Sequence, residues 1–410
     1  MFKNSLWNAA GLVVPSLIAL PALAVMARVL GVEKFGVFML VFSALGFAGV
    51  FDGGLVRAVI RAVAMNGGDE QLNGRVVGTA GWVVLALGVG VAAAVAATAA
   101  PLVSLLKVSA VARADSIIAL RVAALVIPVY LLSLVWFAYL EGKQRFARLS
   151  LIKSVTGILL TMLPALAVLA RPGLDAALAA LLVARLATLA AAYRPCRDAI
   201  GAAIFRYDRA TARDLFRFGG WIAVSNLLAP MMGYADRFLI SNVLGAARVA
   251  FYAAPAEVAA RLSVIPGAVA RTIFPLFSQL QESSAEQARR AFRGLLVVCL
   301  AVAVPLFLVA DWFLDRWLGP PYGEESAIVL RLLLIGFVFN ALGQVPYSRI
   351  QALGRSRDTA MLHMIELVPY LLLLVLLVRD FGLAGAAAAW TTRVVIDFVV
   401  LQLMARRLAD

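Results

Sequence analysis

One histidine and two cysteines in 410 residues leave little material for metal or thiol chemistry. Cys196, placed in a connecting loop, and Cys299, inside an apolar run, are too few for a disulfide framework and lack the spacing of a zinc site, so they read as incidental small residues. Charge is sparse as well: Asp, Glu, Lys and Arg make up 15% of the chain, where soluble domains carry about 25%. No Gly-x-x-x-x-Gly-Lys-Ser/Thr loop is present to cradle a nucleotide's phosphates, so no P-loop ATP site and no cofactor are implied. No basic-aromatic strip or helix-turn-helix pattern occurs either, and no nucleic-acid partner is expected despite the net charge of +14.

What fills the chain is apolar surface. Hydrophobic residues are 63% of the total and the mean hydropathy is +0.94, more than a soluble core can use. Twelve apolar runs, from Leu6–Val29 to Leu383–Met404, are long enough to cross a hydrocarbon layer, which takes about 17–25 residues of helix. The runs are near-continuous rather than alternating, which predicts helices and not a β-barrel. The first run continues past twenty residues and carries Pro15 and Pro21, so it reads as a retained span and not a signal peptide. The expected fold is therefore all-α, a polytopic membrane protein of about twelve transmembrane helices.

Placing the N-terminus in the cytoplasm puts 21 Lys and Arg on the near side, nine on the far side and seven within spans. That asymmetry predicts both termini in the cytoplasm, and it accounts for most of the net charge as a topology signal.

The chain also resembles itself. A shift of 214 residues lays Trp7 on Trp221, Leu30-Gly31 on Leu244-Gly245 and Arg57 on Arg271; a shift of 210 lays Ser116–Arg121 on Ser326–Arg331, and one of 212 lays Gly142-Lys143 on Gly354-Arg355. The matches are collinear through six helices. Two six-helix lobes follow, residues 1–200 and 201–410, parallel to each other around a central cleft, an architecture for alternating access. The polar stretch Arg194–Arg217 is the longest connection and marks the boundary.

At these residues a family resemblance emerges. Ala27–Arg61, with its Arg-x-Leu-Gly turn, aromatic-Gly pair and Asp-Gly start, is similar to the first-to-second helix region of the Wzx-type O-antigen and exopolysaccharide flippases of the multidrug/oligosaccharidyl-lipid/polysaccharide superfamily. ADRFLISNVLG (Ala235–Gly245), IQALGRSRDTAML (Ile350–Leu362) and the last span, Gly382–Leu401, resemble other segments of that family. The resemblance spans essentially the whole chain. It implies export of an undecaprenyl-pyrophosphate-linked oligosaccharide across a bacterial inner membrane, among membrane lipid and in company with a polysaccharide polymerase and glycosyltransferases. A multidrug antiporter of the same superfamily, which favours acidic and aromatic cavity residues, is one alternative. A major-facilitator transporter is another, but its Gly-x-x-x-Asp-Arg pattern is missing from Arg61–Val76. A glycan polymerase or ligase is the enzymatic alternative; no loop here is large enough for its catalytic apparatus, so an enzyme is not expected.

Charged side chains in spans cost about 2.5–3.5 kcal/mol each at a helix centre, so each needs a partner, water or a function. Arg57 and Arg271, at matching repeat positions, are candidates to grip pyrophosphate, because a guanidinium binds such oxygens in a bidentate fork; the competing reading has them snorkelling to lipid headgroups. Arg121 and Arg331 form a second matched pair, and Arg28 and Arg237 open the two halves. Asp236 and Glu257 are candidates for a coupling ion, although Glu257 with Arg261, and Arg393 with Asp397, have the i,i+4 spacing of internal ion pairs. His363 is expected to be packed or interfacial rather than a proton relay.

Overall fold

The computed structural model describes residues 2–52, 54–201, 207–264, 266–267 and 284–407, and every regular element among them is helical. The helices are α1 (Phe2–Ala48), α2 (Leu55–Asn66), α3 (Glu70–Ala97), α4 (Ala99–Leu105), α5 (Ala110–Ala124), α6 (Val126–Gly142), α7 (Phe146–Ala170), α8 (Leu174–Gly201), α9 (Arg209–Leu244), α10 (Ala246–Leu262), α11 (Ser284–Leu308), α12 (Ala310–Leu318), α13 (Gly323–Ala352) and α14 (Ser356–Arg407). Seven helical segments among the described residues are long and apolar enough to span a bilayer; α11 and α12, bent by 75° at their junction, form one more candidate. The chain is a multi-pass membrane protein. Leu166 and Leu169 on α7 and Leu372 and Leu376 on α14 are more than half exposed, as lipid-facing side chains are.

Breaks within the apolar runs have local causes. As one straight helix the 52 residues of α14 would reach about 78 Å, more than twice the roughly 30 Å hydrocarbon core. Gly382, at φ 60°, interrupts it in a conformation only glycine takes without strain. The run Ser116–Leu140 is split between α5 and α6, where Pro128 cannot donate to the carbonyl of Ala124, the last residue of α5. The polar stretch Arg194–Arg217 is not one long loop: α8 runs to Gly201 and α9 starts at Arg209, since Ala and Arg favour helix and the charge of the arginines marks only the exit from lipid. Asp208 caps α9, its carboxylate accepting from the Thr211 amide at 2.8 Å and hydroxyl at 2.5 Å, which holds it below the usual carboxylate range. Cys196 consequently lies buried in α8, its thiol 3.6 Å from the Trp136 carbonyl.

The chain divides into two compact units, Met1–Ala235 and Asp236–Asp410. In the first, α1 packs on α7, α7 on α8, and α3 on α6; in the second, α13 packs along α14, α11 and α10. In lipid the hydrophobic effect does not drive helices together, so close packing of small residues does. A Cβ on Gly88 would fall 2.8 Å from the Pro128 backbone, and one on Gly336 2.4 Å from the Trp390 ring.

The internal repeat is visible inside each unit. Gly31 and Gly245, 214 residues apart, both take positive φ, 74° and 98°. Lys34 binds Asp115 at 2.9 Å, and Arg248 binds Glu325 at 2.7 Å; the partners are related by the same shifts of 214 and 210. Gln144 (φ 56°) and Gly354 (φ 78°) occupy matching turns: the Gln144 and Arg145 amides donate to Glu141 and Leu140, and those of Gly354 and Arg355 to Gln351 and Ile350. This geometry moves the local shift to 210 and replaces the pairing of Gly142-Lys143 with Gly354-Arg355.

Candidate functional site

The first unit gathers its polar groups where the second apolar run fails as a helix. After α1 the chain makes a 3-10 turn, Gly49–Asp52, and reaches Gly54 at φ 76°. Asp52, 4% exposed, turns back to accept the Gly54 amide at 2.8 Å and so terminates the turn that opens α2. Arg57, exposed in the first turns of α2, lies near enough for its charge to act on Asp52. The neighbouring wall is aromatic. Tyr130 of α6 lies within electrostatic range of Asp52 and of Tyr234 of α9, and a Cβ on Gly49 would sit 3.4 Å from its hydroxyl. Arg185 of α8 places its guanidinium 4.4 Å from the Tyr130 ring centroid, with a buried Nε that has no hydrogen-bond partner. Among the described residues, neither Arg57 nor Arg185 has a carboxylate within ion-pair distance. A cation–π contact compensates a guanidinium only in part, so the cluster keeps a cationic surplus suited to an anion.

In the second unit three arginines, Arg237, Arg261 and Arg331, are matched to carboxylates. Arg237, 3% exposed, donates to Glu257 Oε1 at 3.0 Å, and Arg261 donates to Oε2 at 3.1 Å. Asp236 accepts the Tyr252 hydroxyl at 2.5 Å and the Arg237 amide at 2.7 Å. Arg331 is held by the Asp311 carboxylate, by the Phe307 carbonyl at 3.2 Å and by the Phe307 ring. The candidate coupling-ion residues Asp236 and Glu257 thus have their oxygens engaged by protein donors. The i,i+4 spacing yields an ion pair for Glu257 and Arg261 and none for Arg393 and Asp397. Arg393 lies over the Tyr370 ring, 5.6 Å from its centroid, while Asp397 faces His363 at 3.6 Å.

Of the other sequence candidates, Arg28 on α1 and Arg121 in the last turn of α5 are exposed. Arg271 lies outside the described residues. Arg185 is the residue that sequence reasoning passed over, because its signal is Tyr130, near the start of another helix, and not a neighbour in its own.

The family model described as "Polysaccharide biosynthesis protein" matches residues 25–324. The chain belongs to this family. A relative from Shigella flexneri named "Putative O-antigen transporter" is 38% identical over 413 aligned positions, which cover 100% of this chain and 99% of that one. A protein of Haloferax volcanii named "Probable low-salt glycan biosynthesis flippase Agl15" is 27% identical over 182 residues, 43% of this chain and 39% of that one. Among solved structures, an inward-facing multidrug resistance MATE transporter of the MOP superfamily superposes with a TM-score of 0.80 at 17% identity, covering 96% of this chain and 94% of that one. The lipid II flippase MurJ superposes with a TM-score of 0.81 at 11% identity, covering 97% and 87%. At those identities the likeness is one of fold. This polysaccharide biosynthesis protein therefore has the transporter fold of the MOP superfamily.

Proposed function

We propose that this protein flips an undecaprenyl-pyrophosphate-linked oligosaccharide from the cytoplasmic to the outer leaflet of a bacterial inner membrane by alternating access. The full-length match to the Shigella O-antigen transporter carries the reading. The anionic headgroup is held by Arg57 and Arg185, which support the assignment because no carboxylate among the described residues lies within ion-pair distance of them. Arg271, the repeat counterpart of Arg57, belongs to the same proposal. With both termini in the cytoplasm, outward movement of a negative headgroup runs down the membrane potential. That is favourable by about 2.3 kcal/mol per charge per 100 mV, so no nucleotide hydrolysis is required. A polymerase and glycosyltransferases supply and consume the substrate.

One charge-assisted hydrogen bond contributes about 1.5–3 kcal/mol, so Arg57→Ala and Arg185→Ala are each expected to cut export about tenfold or more. Lysine at either position restores part of it, a point charge replacing a fork. Surface glycan in cells deleted for their own flippase, normalised to membrane abundance of each variant, is the measurement. Normal export by both alanine variants would overturn the role given to these arginines.

A further inference from the structure

The two arms of α14 on either side of Gly382 bring three donor side chains together in the second unit. His363 and Glu366 stand three residues apart on one helical face of the first arm, and Asp397 comes from the second. One donor atom from each lies within 4.8 Å of the other two. Both carboxylates are only 9% exposed. Neither oxygen of Glu366, nor Oδ1 of Asp397, has a hydrogen-bond partner. Arg393, one turn from Asp397, is turned to the Tyr370 ring and makes no ion pair with either carboxylate among the described residues. Beyond the His363 imidazole, 3.6 Å from Asp397 Oδ1, the two carboxylates have no ion-pair partner among the described residues, and a buried pair so placed is strongly disfavoured.

We propose that His363, Glu366 and Asp397 bind a divalent transition-metal ion of the Zn2+ or Mn2+ class, which ties the two arms of α14 together. The donor set decides the class: one imidazole nitrogen with two carboxylates suits Zn2+ or Mn2+, whereas Ca2+ and Mg2+ prefer oxygen alone. Two carboxylates and one dication sum to zero charge, as a low-dielectric site favours. The geometry is close to what binding needs. Ligand atoms about 2.1 Å from a tetrahedral ion stand about 3.4 Å apart, and His363 Nε2 is already 3.6 Å from Asp397 Oδ1. An oxygen of Glu366 lies within 4.8 Å of a donor atom on each of the other two. The His363 ring is stacked on Tyr347 of α13, with centroids 5.9 Å apart and planes 11° from parallel, which fixes its orientation. Its 28% side-chain exposure leaves a way in for the ion.

The experiment uses the full chain in lipid nanodiscs without a histidine tag, so that the single histidine of the sequence supplies any imidazole signal. After equilibration with Zn2+ or Mn2+ and desalting, elemental analysis should find about one ion per chain. His363→Ala and Glu366→Gln should each reduce this to background, and the ion should raise the thermal midpoint of the wild type alone. Co2+ as a probe should give visible absorption bands of a nitrogen/oxygen site, without the thiolate charge-transfer band that Cys196 or Cys299 would produce. A wild-type protein that is folded and metal-free at micromolar Zn2+ and Mn2+ overturns the proposal and points to a proton shared between the carboxyl groups. Binding that persists in both variants overturns it too, as an adventitious ion elsewhere. Should a variant fail to fold, wild-type stoichiometry and the Co2+ spectrum still decide the question.

Discussion

At the residue scale the division of labour among charges is sharp. Glu257 takes a guanidinium on each of its oxygens, with Asp236 beside them, so two carboxylates answer two arginines. Removing one partner of a buried pair costs about 3–5 kcal/mol, because the other charge is left uncompensated. Glu257→Gln should therefore lower the thermal midpoint and the membrane abundance of the protein. Adding Arg261→Gln, which restores the parity of charges, should recover part of the loss. Scanning fluorimetry of the purified single and double variants checks both; a double variant less stable than Glu257→Gln alone would contradict the pairing. The sequence made this pair legible because its members are four residues apart on one helix. It misled on Arg393 and Asp397, which have identical spacing, because a tyrosine and a histidine from elsewhere compete for them. Spacing says which groups can meet, and packing decides which do.

Among the elements, the break between α1 and α2 makes the most specific demand on sequence. Gly54 has φ 76°, and a Cβ there would lie 2.1 Å from the Gly219 carbonyl oxygen of α9. A left-handed conformation alone costs a non-glycine residue about 1–2 kcal/mol, and the backbone clash adds to it. Gly54→Ala is expected to abolish accumulation of folded protein, whereas Gly68→Ala, with open space at its Cβ, should behave as wild type. Immunoblots of membrane fractions separate the two, and equal abundance would contradict the described break. Hydropathy hid this feature, since averaging over a window reads Phe38–Ile60 as one apolar run and cannot register a four-residue turn inside it. It hid the helical continuation of α8 for the converse reason: basic residues end an apolar run without ending a helix. The repeat was legible in order, and its register near Gly354 needed the turn's hydrogen bonds.

For the whole molecule, the membrane class follows from the length and distribution of apolar runs, the superfamily was legible only as a resemblance carried by short motifs, and the expected orientation rests on the distribution of Lys and Arg. Reporter fusions after Arg145 and Arg357 should report cytoplasm, and fusions near Lys107 and Gly323 periplasm; a reversed pattern at two of the four sites would contradict the orientation. The residues alone point to no more of the proposed substrate than an anionic charge; the lipid-linked oligosaccharide comes from the family resemblance, and neither says which sugars it carries. Flipping is tested most directly by transbilayer movement of a polyprenyl-pyrophosphate-linked oligosaccharide in proteoliposomes, read by its accessibility to an impermeant glycan-degrading enzyme. Movement is expected to depend on the protein, to need no nucleotide, to speed up under a potential that draws the anion across and to fall in Arg57→Ala and Arg185→Ala. Vesicles containing folded protein that flip this lipid no faster than empty ones would contradict it.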